Sequence, residues 1–225
     1  MSKTVTQPLP PELTEAGVAC IFGQRGYGKS TLARTLFRST RRPRRIVIDT
    51  LKEYYDVAVP VACTADNLRH WTEQPEWAIA ATPDPEQFDP LCRFLAAQTS
   101  NILILVEEID QYTTASVCPP GLRALVNYGR HYGQQVVAVA RRAADVPRLV
   151  TAQAVIASFR QTEPRDLAYL RTFTQADPST LPKYTYVVCE PDSVERHSVT
   201  PSPTRHEGDG PVPPSPSPIE NFFDI

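Results

Sequence analysis

Gly23-Gln24-Arg25-Gly26-Tyr27-Gly28-Lys29-Ser30-Thr31 is the stretch whose reading decides the fold. The apolar run Val18-Ala19-Cys20-Ile21-Phe22 leads into it, and Leu32-Ala33-Arg34-Thr35-Leu36-Phe37-Arg38 leads out. Strand, glycine-rich turn, helix is the context that a G-x-x-x-x-G-K-[ST] phosphate loop requires. Glycines let the backbone curl until successive N–H groups point at one phosphate, at the positive end of the helix that follows. Residues Gly23, Gln24, Arg25, Gly26, Tyr27, Gly28, Lys29, Ser30 and Thr31 are therefore expected to hold a nucleoside triphosphate. In that role Lys29 bridges the β- and γ-phosphates, the Ser30 hydroxyl is a Mg²⁺ ligand, and Thr31 backs an α-phosphate oxygen.

Downstream of the loop the helix runs to about Arg38 and stops at Arg41-Arg42-Pro43-Arg44-Arg45, where proline forbids continuation. Ile46-Val47-Ile48-Asp49 is short and apolar enough for a buried parallel strand. It places Asp49 at the strand end, with Glu53 in the turn beyond. Further strands are expected at Trp77–Ala81, Ile102–Val106, Val136–Ala140 and Val155–Phe159. Helices are expected over Asp66–Glu73, Pro85–Gln98, Leu122–Tyr132, Val146–Ala152 and Arg165–Phe173. Tyr184–Cys189 and Val194–Val199 suit a hairpin around Pro191-Asp192-Ser193. Alternating strands and helices imply an α/β fold, a mostly parallel sheet with helices on both faces. Ligands bind such sheets at the carboxyl ends of the strands, where the phosphate loop, Asp49, Glu107, Glu108 and Arg141 all fall.

The 225 residues suit one domain over 17–200, with an N-terminal arm over 1–16 that contains Pro8, Pro10 and Pro11. Residues 201–225 form a proline-rich tail expected to be disordered, ending in the apolar Phe222-Phe223. A net charge of −2 means that any nucleic-acid surface must be a local patch. The five cysteines have neither C-x-x-C nor zinc-ligand spacing, so reduced thiols in a cytosolic-type compartment are expected. No apolar run approaches a membrane span, so the chain is not expected to cross one.

A phosphate loop alone does not separate kinases, GTPases and motors. The apolar strand Ile102–Val106 delivers Glu107-Glu108, and paired acids allow one to hold Mg²⁺ while the other polarises the attacking water. Glu107 takes the metal role and Glu108 the base role, with Asp110 an alternative for either. A small-molecule kinase has less use for such a base, because its acceptor is a bound substrate.

The order of these elements resembles the FtsK–HerA superfamily of DNA-pumping ATPases, a RecA-like branch of P-loop proteins. Within it the chain is most similar to the small genome-packaging ATPases of tailless, internal-membrane-containing double-stranded DNA viruses. The likeness rests on Gly23–Thr31, Ile46–Tyr54, Ile102–Glu108, the turn Gly129-Arg130-His131-Tyr132-Gly133 and the strand into Arg141-Arg142. It implies an ATP-hydrolysing, sequence-independent double-stranded-DNA translocase working as a ring, hexameric by analogy. Such a pump would load a genome into a capsid, in the virion at its packaging vertex and in the host cytoplasm. Capsid-vertex or virion-membrane proteins would be its partners. The resemblance makes Arg130 an arginine finger acting on a neighbour's ATP. It puts Arg141, eleven residues later, where the superfamily usually has a sensor glutamine. Glu107 likewise stands where aspartate is usual, which lengthens the metal arm. DNA contact would fall to the loop from Gln111 to Gly121 or to Arg41, Arg42, Arg44 and Arg45, although a basic run at a helix end is more often a solvated surface. Other readings are a superfamily ATPase for plasmid or conjugative transfer or phage morphogenesis, a P-loop small-molecule kinase, and a non-enzymatic nucleotide-gated assembly protein.

Overall fold

A computed structural model describes residues 9–173, 177–189 and 194–200. Among these residues nine strands form one sheet in the order β3-β4-β2-β5-β6-β1-β7-β8-β9. They are β1 (Val18–Phe22), β2 (Arg44–Ile48), β3 (Val59–Val61), β4 (Trp77–Ala81), β5 (Ile102–Val106), β6 (Gln135–Ala140), β7 (Val155–Ser158), β8 (Thr185–Cys189) and β9 (Val194–Ser198). From β3 to β7 all neighbours are parallel, while β8 runs antiparallel to β7 and β9 antiparallel to β8. This is the expected α/β architecture with its C-terminal hairpin; the hairpin's turn and the 201–225 tail lie outside the described residues.

Strands β1 and β5 are apolar throughout because both faces of the sheet are covered. Along β5, Ile102, Ile104 and Val106 enter the cluster with Leu68, Phe88, Leu91, Leu95, Leu122 and Leu125. These come from α3 (Ala65–Thr72), α4 (Pro85–Gln98) and α5 (Pro120–Tyr128). Leu103 and Leu105 join the opposite cluster with Leu32, Leu36 and Phe37 of α2 (Lys29–Ser39) and Leu13 of α1 (Pro11–Glu15). The lead-in to β1 is thus a docked helical turn rather than bare arm, with Leu13 fully buried.

Five further differences from the sequence reading are local. Strand β3 was not among the expected strands; Pro60 sits inside it, and an edge position tolerates the missing N–H. Helix α5 ends at Tyr128, and Gly129–Tyr132 tightens into a 3₁₀ turn that Gly133 closes in the left-handed region. Pro147 delays the next helix, α6, to Arg148–Thr151, and α7 spans Pro164–Leu170. Strand β2 begins two residues early, so Arg44 and Arg45 lie on it rather than in a basic turn.

That last difference changes the meaning of the arginine run. Arg42 donates to the carbonyls of Gly133 and Thr14 and to the Gln135 side chain, at 3.1, 3.3 and 2.8 Å. Arg44 donates to the Ser100 carbonyl at 3.2 Å, and Arg45 to those of Phe37 and Arg38, the open end of α2. These guanidinium groups stitch the amino edge of the sheet together.

Candidate nucleotide site

The carboxyl ends of β1, β6, β5 and β2 stand side by side and build the site in that order. Because β6 is interposed between the phosphate-loop strand and the acid strand, Arg141 falls between Lys29 and Glu107-Glu108. Lys29 lies within electrostatic reach of Glu107, Arg141, Asp110 and Glu108. The sequence reading required the lysine and the paired acids to share one edge, and they do.

The loop between Phe22 and Lys29 carries Gly23, Gly26 and Gly28 at φ of 152°, 79° and 112°. At Gly23 a Cβ would stand 2.5 Å from that of Phe159, so space and backbone together admit no side chain. The Gln24 N–H donates to the Arg160 carbonyl at 3.0 Å, and the Tyr184 N–H donates to the Tyr27 carbonyl at 3.0 Å. The Gln24 side chain donates to the Thr162 hydroxyl. The Arg160 guanidinium lies over the Tyr27 ring, 5.9 Å from its centroid. Lys29 donates to the Gln24 carbonyl at 3.2 Å, and burial lowers its pKa, with Glu107 opposing. Ser30 and Thr31 occupy the first turn of α2, half-buried beside the lysine.

Asp49 is 1% exposed, and both its carboxylate oxygens accept main-chain N–H groups, from Glu53 at 3.0 Å and Tyr54 at 2.8 Å. It therefore folds the turn after β2. Arg34 of α2 clamps the same turn by donating to the Glu53 carbonyl and to Asp56, and lies 5.4 Å over the Tyr54 ring. The turn delivers the Tyr54 hydroxyl, fully buried, to Glu107 Oε1 at 2.5 Å. Burial pushes the Glu107 carboxyl up to about 7, and the Tyr54 hydrogen bond opposes that rise. Replacing Tyr54 with phenylalanine leaves this buried oxygen without its donor. We expect a loss of about 1–3 kcal/mol in urea unfolding, and a change below about 0.5 kcal/mol would show that the bond contributes no stability.

Glu108 follows in the left-handed region, φ 50° and ψ 50°, ending β5 before a 3₁₀ turn over Ile109–Gln111. Its Oε2 accepts from the Thr50 hydroxyl at 3.2 Å and from the Gln111 amide at 2.5 Å. Asp110 is half-buried; burial raises its pKa and Arg141 opposes this. The Arg141 carbonyl accepts from buried Gln161 at 3.0 Å, while its side chain is exposed.

Arg130 is the one expected site residue that the fold sets apart. A Cβ on Gly17, just before β1, would stand 3.3 Å from the Arg130 Cβ, and the Tyr132 carbonyl accepts from Asn101, just before β5. The Gly129–Tyr132 turn thus sits at the amino ends of the strands. Gly17 and Gly23 bracket β1, so about 20 Å of strand separates Arg130 from the phosphate loop of its own chain.

For Mg²⁺ the donor set fits: a hydroxyl on Ser30 and a carboxylate on Glu107 are hard oxygen ligands, and this ion takes one or two such groups plus phosphates and water. Among the described residues no group of three or more His, Cys, Asp or Glu could hold a metal alone.

Sequence reasoning did not single out Thr50, Tyr54, Gln111, Arg160 or Tyr184 as site residues. Tyr54 closes the segment Ile46–Tyr54, but nothing local to it indicates Glu107, 53 positions away. Cys20, Cys63, Cys92 and Cys118 are free thiols, and among the described residues no helix is long and apolar enough to cross a membrane.

No protein-family model matches the sequence, and no curated protein matches it significantly. Solved structures do. The genome-packaging NTPase B204 of Sulfolobus turreted icosahedral virus 2 superposes with a TM-score of 0.68 at 16% identity, over 83% of this chain and 98% of B204. B204 has been solved with AMPPCP and with ATP-gammaS, and these superpose at 0.67 and 0.66. EccC of Thermomonospora curvata (ATPases 2 and 3) matches at 0.59 and 12% identity, over 83% of this chain and 37% of EccC. The pCW3 conjugation coupling protein TcpA matches at 0.55 and 10%, over 83% of this chain and 61% of TcpA. By fold, the chain is a P-loop ATPase-like α/β protein of the kind seen in B204, EccC and TcpA, as the resemblance to FtsK–HerA proteins implied.

Proposed function

We propose that the chain is an ATP-hydrolysing double-stranded-DNA translocase that works as a ring, hexameric by analogy, and loads a viral genome into a preformed capsid. One observation carries the reading: Lys29, Glu107 and Glu108 share the carboxyl edge of the sheet, while Arg130 stands on the opposite edge, facing away from its own site. That is the placement a finger needs if its target is the ATP of a neighbouring subunit. The packaging role rests on the likeness to B204, described as a genome-packaging NTPase.

Within one subunit, Gly23–Thr31 cradle the phosphates, and Lys29 spans the β- and γ-oxygens. Ser30 and the Glu107 oxygen not taken by Tyr54 would hold Mg²⁺, which when bound neutralises charge on the β- and γ-phosphates. Asp49 contributes by fixing the turn that seats Tyr54. Glu108 accepts the proton of the attacking water, and the neighbour's Arg130 meets the charge that develops on the γ-phosphate. Arg141, standing between lysine and acids, reports the state of that phosphate to β6. Capsid-vertex or virion-membrane proteins would anchor the ring in the virion.

The test is turnover of ATP with and without linear double-stranded DNA of mixed sequence. A translocase shows DNA-stimulated hydrolysis that is insensitive to sequence and weakens with salt. A small-molecule kinase or a nucleotide-gated assembly protein shows no stimulation, and that result would overturn the proposal.

A further inference from the structure

We propose that Tyr128 and Tyr132, which flank Arg130, dock on Leu51 of a second copy of this chain and so hold the arginine over that copy's nucleotide. The inference rests on the reading of Arg130 as a residue that serves a neighbour's site, and adds the side chains that seat it there. Among the described residues the large apolar side chains most open to solvent are Leu51, Val59, Val117, Tyr128 and Tyr132. Val59 belongs to the edge strand β3. The other four gather at the two ends of the parallel strands. Tyr128 and Tyr132, 62% and 60% exposed, stand at the amino edge. Leu51, 60% exposed, stands at the nucleotide edge in the turn after β2, and Val117 lies in the loop that leaves β5 there. Apolar groups at opposite ends of the strands cannot cover one another within one chain. A second copy set head to tail brings the two ends together.

Both ends are built to present these side chains. At the amino edge the Gly129 carbonyl accepts from the Gln134 N–H at 2.9 Å, the Arg130 carbonyl from Gly133 at 3.2 Å and the Tyr132 carbonyl from Asn101 at 3.0 Å. Arg42 adds its bond to the Gly133 carbonyl. At the nucleotide edge Asp49 and Arg34 fix the turn that carries Leu51. A turn whose main chain is already satisfied loses little freedom when its side chains are covered, which favours association. Tyrosine and arginine are also the side chains that most often anchor a protein–protein contact. Charge agrees: a bound triphosphate makes the nucleotide edge negative, and the turn opposite exposes Arg130 and His131. Reach agrees as well. Tyr132 is two residues from Arg130, so their Cα atoms are at most about 7 Å apart. Leu51 follows Thr50, whose hydroxyl lies 3.2 Å from the Glu108 carboxylate. An Arg130 side chain that meets the phosphate in front of Glu108 therefore brings Tyr132 into reach of Leu51.

The experiment measures self-association of the full chain by sedimentation velocity in the presence of ATP-gammaS, for Leu51→Asp, Tyr132→Ser, their double variant and Leu51→Met. Each polar replacement is expected to weaken association about tenfold or more, while ATP-gammaS binding to the dissociated chain changes less than about twofold. Leu51→Met keeps an apolar side chain of similar volume and should associate like the wild type. Because the two residues form one contact, the double variant should lose much less than the product of the single losses. Tyr128→Ser should weaken association in the same direction, and it takes the place of Tyr132→Ser if that variant does not fold. Unchanged association in both single variants, or losses that simply multiply in the double variant, overturns the docking. The proposed function then still stands if a mixture of Arg130→Ala and Glu108→Gln chains regains turnover. A wild-type chain that stays monomeric while DNA stimulates its turnover removes the neighbour from the mechanism, and the docking falls with it.

Discussion

Arg130→Ala is expected to cut ATP turnover by about 10³-fold or more, the range of a lost arginine finger, while ATP binding to the isolated chain changes less than about twofold. The separation of effects follows from geometry. Arg130 packs its stem on Gly17 at the amino edge, and its own phosphate loop lies beyond the far end of β1. Nothing that binds in that loop meets Arg130 of the same chain. The decisive measurement mixes two inactive proteins, Arg130→Ala and Glu108→Gln. In a head-to-tail assembly, about a quarter of the interfaces in an equal mixture pair an intact arginine with an intact glutamate. Turnover should reappear on mixing and rise with total concentration. Full activity from a strictly monomeric Arg130→Ala chain would remove the residue from the mechanism.

Glu108→Gln should abolish turnover, by about 10²–10⁴-fold, and leave nucleotide affinity intact. Glutamine keeps the length of the side chain and an oxygen for Thr50 and Gln111 to meet, so the turn after β5 should survive. What disappears is the capacity to take a proton. Equilibrium binding of a fluorescent ATP analogue, compared with single-turnover hydrolysis, distinguishes the two. Retained hydrolysis would transfer the base role to Asp110, which shares this edge and lies within electrostatic reach of Arg141. Loss of binding instead would mean that Glu108 organises the phosphate loop.

Much of this arrangement was legible because the signals were local. The phosphate loop announces itself through fixed residues and both flanks, and Ile102–Val106 is apolar on every residue because both sheet faces are covered. Other features arise only once distant segments meet. The order of strands is not written in any one of them, so the seat of Arg141 between Lys29 and the acids emerges only when β6 inserts between β1 and β5. Arg42, Arg44 and Arg45 read as a cationic patch until the carbonyls of Thr14, Gly133, Ser100 and Phe37 are brought to them. Asp49 was expected to face the nucleotide from its strand end; its carboxylate instead accepts from the next few residues, a local pattern that the acidic strand end masked. Val59-Pro60-Val61 is too short to show a strand period, and only an edge position tolerates its proline.

The outermost strands of the sheet bear on how copies could meet. On one side β3 is three residues long with a proline at its centre; on the other, β9 carries Glu195, Arg196 and His197 in succession. Neither margin is a good template for adding another strand. In the proposed ring, neighbouring subunits would then meet through side chains rather than through a shared main-chain ladder. A seam of that kind can loosen and re-form with every round of chemistry, which a continuous sheet across it would prevent.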